Sequence, residues 1–190
     1  MRAADEALPA PPARERTVLP VVAVVLVLAV VVFGGYVTAG ALSTSAGGPV
    51  DVAGLVRLTP LSGWELAERF SDPAGARLTR GSGTLDVFAG SFEGTTDQLI
   101  GRYVAGSLEP QAEQLSVSQI ETLELASGLV GSRISYVGTF RDVPVPIEGE
   151  LTAVVSDSGV GVIFDGWAPS GQLRSALDEV RAMIDAAEVA

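Results

Sequence analysis

The 190-residue chain contains no His and no Cys, and its 12 basic and 23 acidic residues give a formal charge of −11. That removes the commonest zinc ligands, disulfides, thiol nucleophiles and the usual base of a serine triad, leaving carboxylates, hydroxyls, Arg and Tyr for any chemistry. A surface this acidic with no basic cluster repels a phosphate backbone, so nucleic acid is not an expected partner.

An uncharged run of 25 residues, Val18 to Leu42, comes first along the chain. At about 1.5 Å per residue a helix of that length exceeds the roughly 30 Å hydrocarbon core of a bilayer, and only a helix satisfies its own backbone there. Arg2, Arg14 and Arg16 precede the run and no basic residue follows it until Arg57. The expected topology is therefore a short cytoplasmic tail of residues 1–17, a transmembrane helix or uncleaved signal anchor of residues 18–42, and an extracytoplasmic domain. The small residues Ala39-Gly40-Ala41 leave a cleaved signal peptide as the alternative. Residues 43–49 form a flexible linker of small residues, and residues 50–190 are long enough for one hydrophobic core. Tail arginines and acids balance, so the whole acidic excess belongs to the outer part.

Within residues 50–190 the periodicity predicts mostly strands. Val50–Leu58 and Gly63–Phe70 read as strands, followed by a turn at Ser71-Asp72-Pro73-Ala74-Gly75. Arg77–Arg80 and Thr84–Phe92 then form a hairpin across Gly81-Ser82-Gly83. That glycine pair leads into a strand, not a helix, and so is no phosphate loop. A helix is expected over Thr96–Leu108, capped by Thr95 or Thr96, with Leu99, Ile100, Tyr103, Val104 and Leu108 on one stripe. Gln114–Glu124, broken near Gln119, precedes an antiparallel meander of Gly131–Phe140, Val145–Ser156 and Val160–Trp167. A last helix is expected from Ser170, as N-cap, to about Ala187. Runs of strands with one helix among them and one at the end give an α+β domain, an antiparallel β-sheet covered by helices.

Several residues are candidates for chemistry. Glu148 and Glu150 project from one strand face and suit a hard cation, but a solvated face with Arg133 or Arg141 as ion partners explains them better. Ser132, Ser135 and Tyr136 carry hydroxyls without an activating base. Trp64 and Trp167 each follow a glycine near a strand end, where a large ring either seals a core or lines a groove. Trp64, Asp165 and Trp167 are the candidate groove residues, with Asp165-Gly166-Trp167-Ala168-Pro169 expected as an irregular link to the last helix. No catalytic, metal-binding or cofactor-binding residue is assigned, and the chain is read as non-catalytic.

Gly63-Trp64-Glu65-Leu66 after a proline-containing strand end, the helix around Tyr103, the hairpins, and Phe164-Asp165 before the last helix resemble the PsbP-like fold. Extracytoplasmic LpqN-like proteins of actinobacteria share it, as does the photosystem II subunit that names it. The resemblance covers about residues 50–190 and implies a binding or assembly module without a shared catalytic set, so no functional residue is carried over. The lipoprotein members have an anchoring cysteine; here residues 18–42 stand in that role. The expectation is a membrane-anchored binding module of the cell envelope, its partner an envelope protein, lipid or glycan. A membrane-tethered signalling subunit and a carboxylate-dependent hydrolase are the alternatives.

Overall fold

The computed structural model describes residues 48–190. The tail of residues 1–17, the expected span of residues 18–42 and most of the linker lie outside them. Among the described residues no helix is long and apolar enough to cross a membrane.

The chain opens with a small hairpin, β1 (Val50–Val52) and β2 (Val56–Leu58). The single strand expected here turns back on itself at Ala53-Gly54, both at positive φ, with Asp51 Oδ1 accepting from the Gly54 amide at 2.8 Å. Next come β3 (Glu65–Ser71), β4 (Ala74–Arg80) and β5 (Gly83–Ser91). Helix α1 (Thr96–Tyr103) follows, closed at its start by a capping box: Thr95 accepts from the Gln98 amide and Gln98 accepts from the Thr95 amide. The expected helix keeps its length but changes form, since Val104–Leu108 is π-helical, with the Glu109 amide reaching Val104 O at 2.9 Å. β6 (Ala112–Val117) and β7 (Glu121–Glu124) are the two halves of the strand expected to break near Gln119. β8 (Val130–Phe140), β9 (Ile147–Val155) and β10 (Val160–Pro169) form the antiparallel meander. Helix α2 (Arg174–Asp185) and the short β11 (Glu188–Val189) end the chain.

Eight strands make the main sheet in the order β3-β4-β5-β10-β9-β8 with β6 and β7 both on β8, and β1, β2 and β11 make a second, three-stranded sheet. The main sheet is covered on both faces. One face, carrying Leu85, Val87, Val154, Val162 and Phe164, packs with α2 through Ala176, Val180, Met183 and Ile184 and with the small sheet through Val52, Val56 and Leu58. Gly166 permits the close approach of α2, because a Cβ there would stand 2.8 Å from Val180 Cγ1. The other face, carrying Ile134, Tyr136, Leu151, Ala153 and Ile163, packs with α1 and the π-helical turn through Ile100 and Leu108.

Two expectations are corrected by this double cover. The Glu148/Glu150 face is not wet: α2 lies over it. Glu150 is 3% exposed and paired with Arg133 at 3.2 Å and with Arg181, while Glu148 accepts from the Leu173 amide at 2.9 Å. Glu148 thereby serves the N-terminus of α2, the role expected of Ser170, which lies four residues ahead of the helix. The segment Asp165-Gly166-Trp167-Ala168-Pro169 is also not an irregular link. It is the last half of β10, paired with β9 through Pro169.

Candidate functional site

Between the sheet and the α1/π-helical segment lies a cavity of about 670 Å³. Its walls are apolar and aromatic, with Phe88, Leu99, Leu108, Phe140, Val143 and Ile163 among them. Its floor is polar, and cross-strand register builds that floor. Arg77 on β4 lies opposite Asp86 on β5, and Asp86 lies opposite Asp165 on β10. Residues directly opposite in antiparallel strands share a face, so the three side chains stand in a row across the sheet.

Each carboxylate in that row is held by named donors. Arg77 grips Asp86 bidentately, Nε to Oδ1 at 2.6 Å and Nη2 to Oδ2 at 2.9 Å, and Trp167 Nε1 donates to Asp86 Oδ2 at 3.1 Å. The guanidinium also sits 5.4 Å from the Phe70 ring centroid and 6.0 Å from that of Trp167, favourable cation–π placements. Asp165 accepts from Tyr136 at 2.8 Å on Oδ1 and from Tyr103 at 3.0 Å on Oδ2. Tyr103 comes from the last turn of α1, so this hydrogen bond ties the helix to the floor of the cavity.

Tyr136 reaches Asp165 from two strands away. It lies opposite Gly149 on β9, which lies opposite Trp167 on β10. A Cβ on Gly149 would be 2.2 Å from the Tyr136 ring, so the ring lies flat over a residue that has no side chain. That glycine lets the hydroxyl span β9.

Burial governs the ionisation of the cluster. Asp165 is 3% exposed, and desolvation first, the neighbouring Asp86 charge second, push its carboxyl up to about 7, against the opposing pull of the two tyrosine hydroxyls and Arg77. Burial and then the Asp165 charge raise Tyr103 and Tyr136 well above the ordinary phenol range, so both remain hydrogen-bond donors. At the rim Arg102 covers the Phe92 ring at 4.8 Å, and Asp142 lines the wall.

The three groove residues expected from sequence are divided between the two faces. Asp165 and Trp167 line the cavity together. Trp64 does not: it is fully buried in the core on the α2 side, its Nε1 donating to Glu179 at 2.8 Å. A ring with no exposed surface cannot line a groove. Arg77, Asp86, Tyr103 and Tyr136 complete the site and were not singled out as a group by sequence. Two signals existed: a lone acid in each of two otherwise apolar strands, Asp86 in Leu85–Ala89 and Asp165 in Val160–Trp167. Among the described residues no three His, Cys, Asp or Glu side chains converge as a metal site, and the Ser132 hydroxyl is engaged by Asp97 at 2.5 Å and Thr96 at 2.6 Å.

The chain is similar to the solution structure of cyanobacterial PsbP (CyanoP) from Synechocystis sp. PCC 6803, at 12% identity and a TM-score of 0.48, over 78% of this chain and 99% of that one. This is a likeness of fold and says nothing of a ligand or partner. No family model matches the chain, and no curated protein matches it.

Proposed function

We propose that the protein is a membrane-anchored, extracytoplasmic, non-catalytic binding module of the cell envelope, and that its object is a small molecule held in the cavity between the sheet and α1. The observation that carries this reading is the cavity itself, about 670 Å³ with aromatic walls and a small convergent set of polar groups on its floor. That volume and lining are those of small-molecule sites in general. Binding is favoured over hydrolysis because both buried carboxylates are held on both oxygens, Asp86 by Arg77 and Trp167 and Asp165 by Tyr136 and Tyr103, an arrangement of fixed acceptors rather than of a mobile acid and base. The anchor rests on the apolar run of residues 18–42 and the arginines before it. The resemblance of Gly63-Trp64-Glu65-Leu66 and Phe164-Asp165 to LpqN-like extracytoplasmic proteins agrees with it.

Two measurements test this reading. A reporter that works only outside the cytoplasm, fused after Ala190 of the full chain, is active if the topology is right; a cytoplasmic reporter active at the same site reverses it. For the cavity, the full chain is extracted from its native membrane and weighed intact by mass spectrometry. The expected result is a bound small molecule that is lost in Val143→Trp, where a large ring from the half-buried wall residue fills the space. A chain without bound mass, or with the same mass in both forms, contradicts the cavity as the binding site.

A further inference from the structure

The charges around the cavity do not balance. Asp86, Asp142 and Asp165 line it against Arg77 and Arg102. Arg77 is already shared, bidentate to Asp86 and 3.7 Å from Glu68, and Arg102 is at the rim over Phe92. The interior floor therefore holds two buried carboxylates in adjacent strands and one guanidinium. The one cation among the described residues whose charge acts on Asp165 is Arg77 on β4, and its guanidinium is bidentate to Asp86; of the other elements packed there, β5 presents Asp86, α1 presents Tyr103, β8 presents Tyr136, β9 presents Leu151 and β10 presents Trp167. Its two hydroxyl donors each occupy one oxygen and leave a further lone pair on each. Rings surround the position, with Phe88 stacked on Phe70 at 5.5 Å and tilted against Tyr103 at 6.0 Å.

A buried carboxylate beside a second one is costly unless it keeps its proton or a positive charge joins it, and aromatic rings around such a position add to the attraction for a cation. We infer that the cavity takes a small organic cation, a protonated amine on an apolar or aromatic body, with its ammonium group against Asp165 and its body between Phe88, Ile163 and α1. The inference rests on the domain being a binding module. An anion meets two carboxylates there. A neutral molecule of the same shape fills the walls but leaves the floor uncompensated.

Because the ionised form of Asp165 is the one an ammonium group meets, binding gains strength as pH rises through about 7. The groups facing Asp165 in this range are Asp86, Arg77, Tyr103 and Tyr136, and both tyrosines are raised far out of it. The test uses the full chain in detergent micelles, titrated with benzylamine, benzyl alcohol and benzoate, which share one ring and differ in charge. Benzylamine stays charged across pH 5.5–8, as alkylammonium groups do. The expected result is benzylamine bound about tenfold or more tightly than benzyl alcohol at pH 8, with benzoate weakest. The benzylamine preference falls toward parity at pH 5.5, and Asp165→Asn brings it near one at both pH values. The pH profile of the unaltered chain carries the test whether or not the variant folds. Benzyl alcohol or benzoate binding as well as benzylamine at pH 8, or a preference that ignores pH, overturns the amine while the cavity stands. Failure of all three to bind removes both.

Discussion

Asp86 and Asp165 are direct cross-strand partners on β5 and β10, both almost wholly buried, with one guanidinium, that of Arg77, between them and neutrality. Like charges placed opposite each other in a sheet destabilise it. The arrangement persists because Arg77, Trp167, Tyr103 and Tyr136 supply five hydrogen bonds to the pair. Against those hydrogen bonds, burial first and the Asp86 charge second favour the neutral form of Asp165 in the fold.

That preference gives a pH dependence with a definite sign. The folded chain holds Asp165 up at about 7 against an ordinary value of 3.8, so it retains a proton the unfolded chain has lost. Stability from this group is complete below about pH 3.8 and is lost as pH rises to about 7. Asp165→Asn removes the titration, so its stability relative to the unaltered chain improves by about 3 kcal/mol between pH 5 and pH 8. Denaturant unfolding at the two pH values checks this; a constant difference contradicts the raised carboxyl.

Arg77→Met leaves Asp86 buried with only Trp167 as donor. Removing one partner of a buried pair costs about 3–5 kcal/mol, and the side-chain exposure of Arg77, 32%, lowers the expectation to about 2–3 kcal/mol. Adding Asp86→Leu to Arg77→Met recovers most of that loss, because the unpaired charge goes with it. A double variant as unstable as the single one contradicts this account of the ion pair.

Gly149→Ala places a methyl group within the Tyr136 ring and forces the ring off the sheet, breaking its hydrogen bond to Asp165. The expected cost is about 2–3 kcal/mol, typical of overpacking with a buried bond lost. In Tyr136→Ala the same glycine substitution has room and costs under about 1 kcal/mol. A double-mutant cycle measures the coupling; additive effects contradict the contact.

Most of the elements were legible in the sequence because apolar periodicity and turn residues mark them locally, as the Thr95 cap and the β8-β9-β10 meander show. What periodicity could not provide was the face. Trp64 and Trp167 both follow glycine near a strand end, yet one is sealed under α2 and the other lines the cavity, since both faces of the sheet are covered. The same double cover hid the fate of Glu150, whose partner Arg181 is 31 residues away. The site itself depends on long-range register, Asp86 meeting Asp165 and Tyr136 passing over Gly149, and register between distant strands leaves no local mark. Periodicity likewise does not separate α1 from the π-helical turn of Val104–Leu108, because the apolar stripe runs through both forms.

The two tryptophans make the central claim directly measurable. Their indole N–H groups report opposite faces of one sheet, Trp167 donating to Asp86 on the cavity floor and Trp64 to Glu179 beneath α2. The full chain, labelled with nitrogen-15 at its two tryptophans and held in micelles at pH 8, is titrated in turn with benzylamine, benzyl alcohol and benzoate while both indole resonances are followed. The predicted result is a saturable shift of the Trp167 resonance with that of Trp64 unmoved. A shift of Trp64 alone, equal shifts of both, or no saturable shift at either contradicts the cavity as the site of binding.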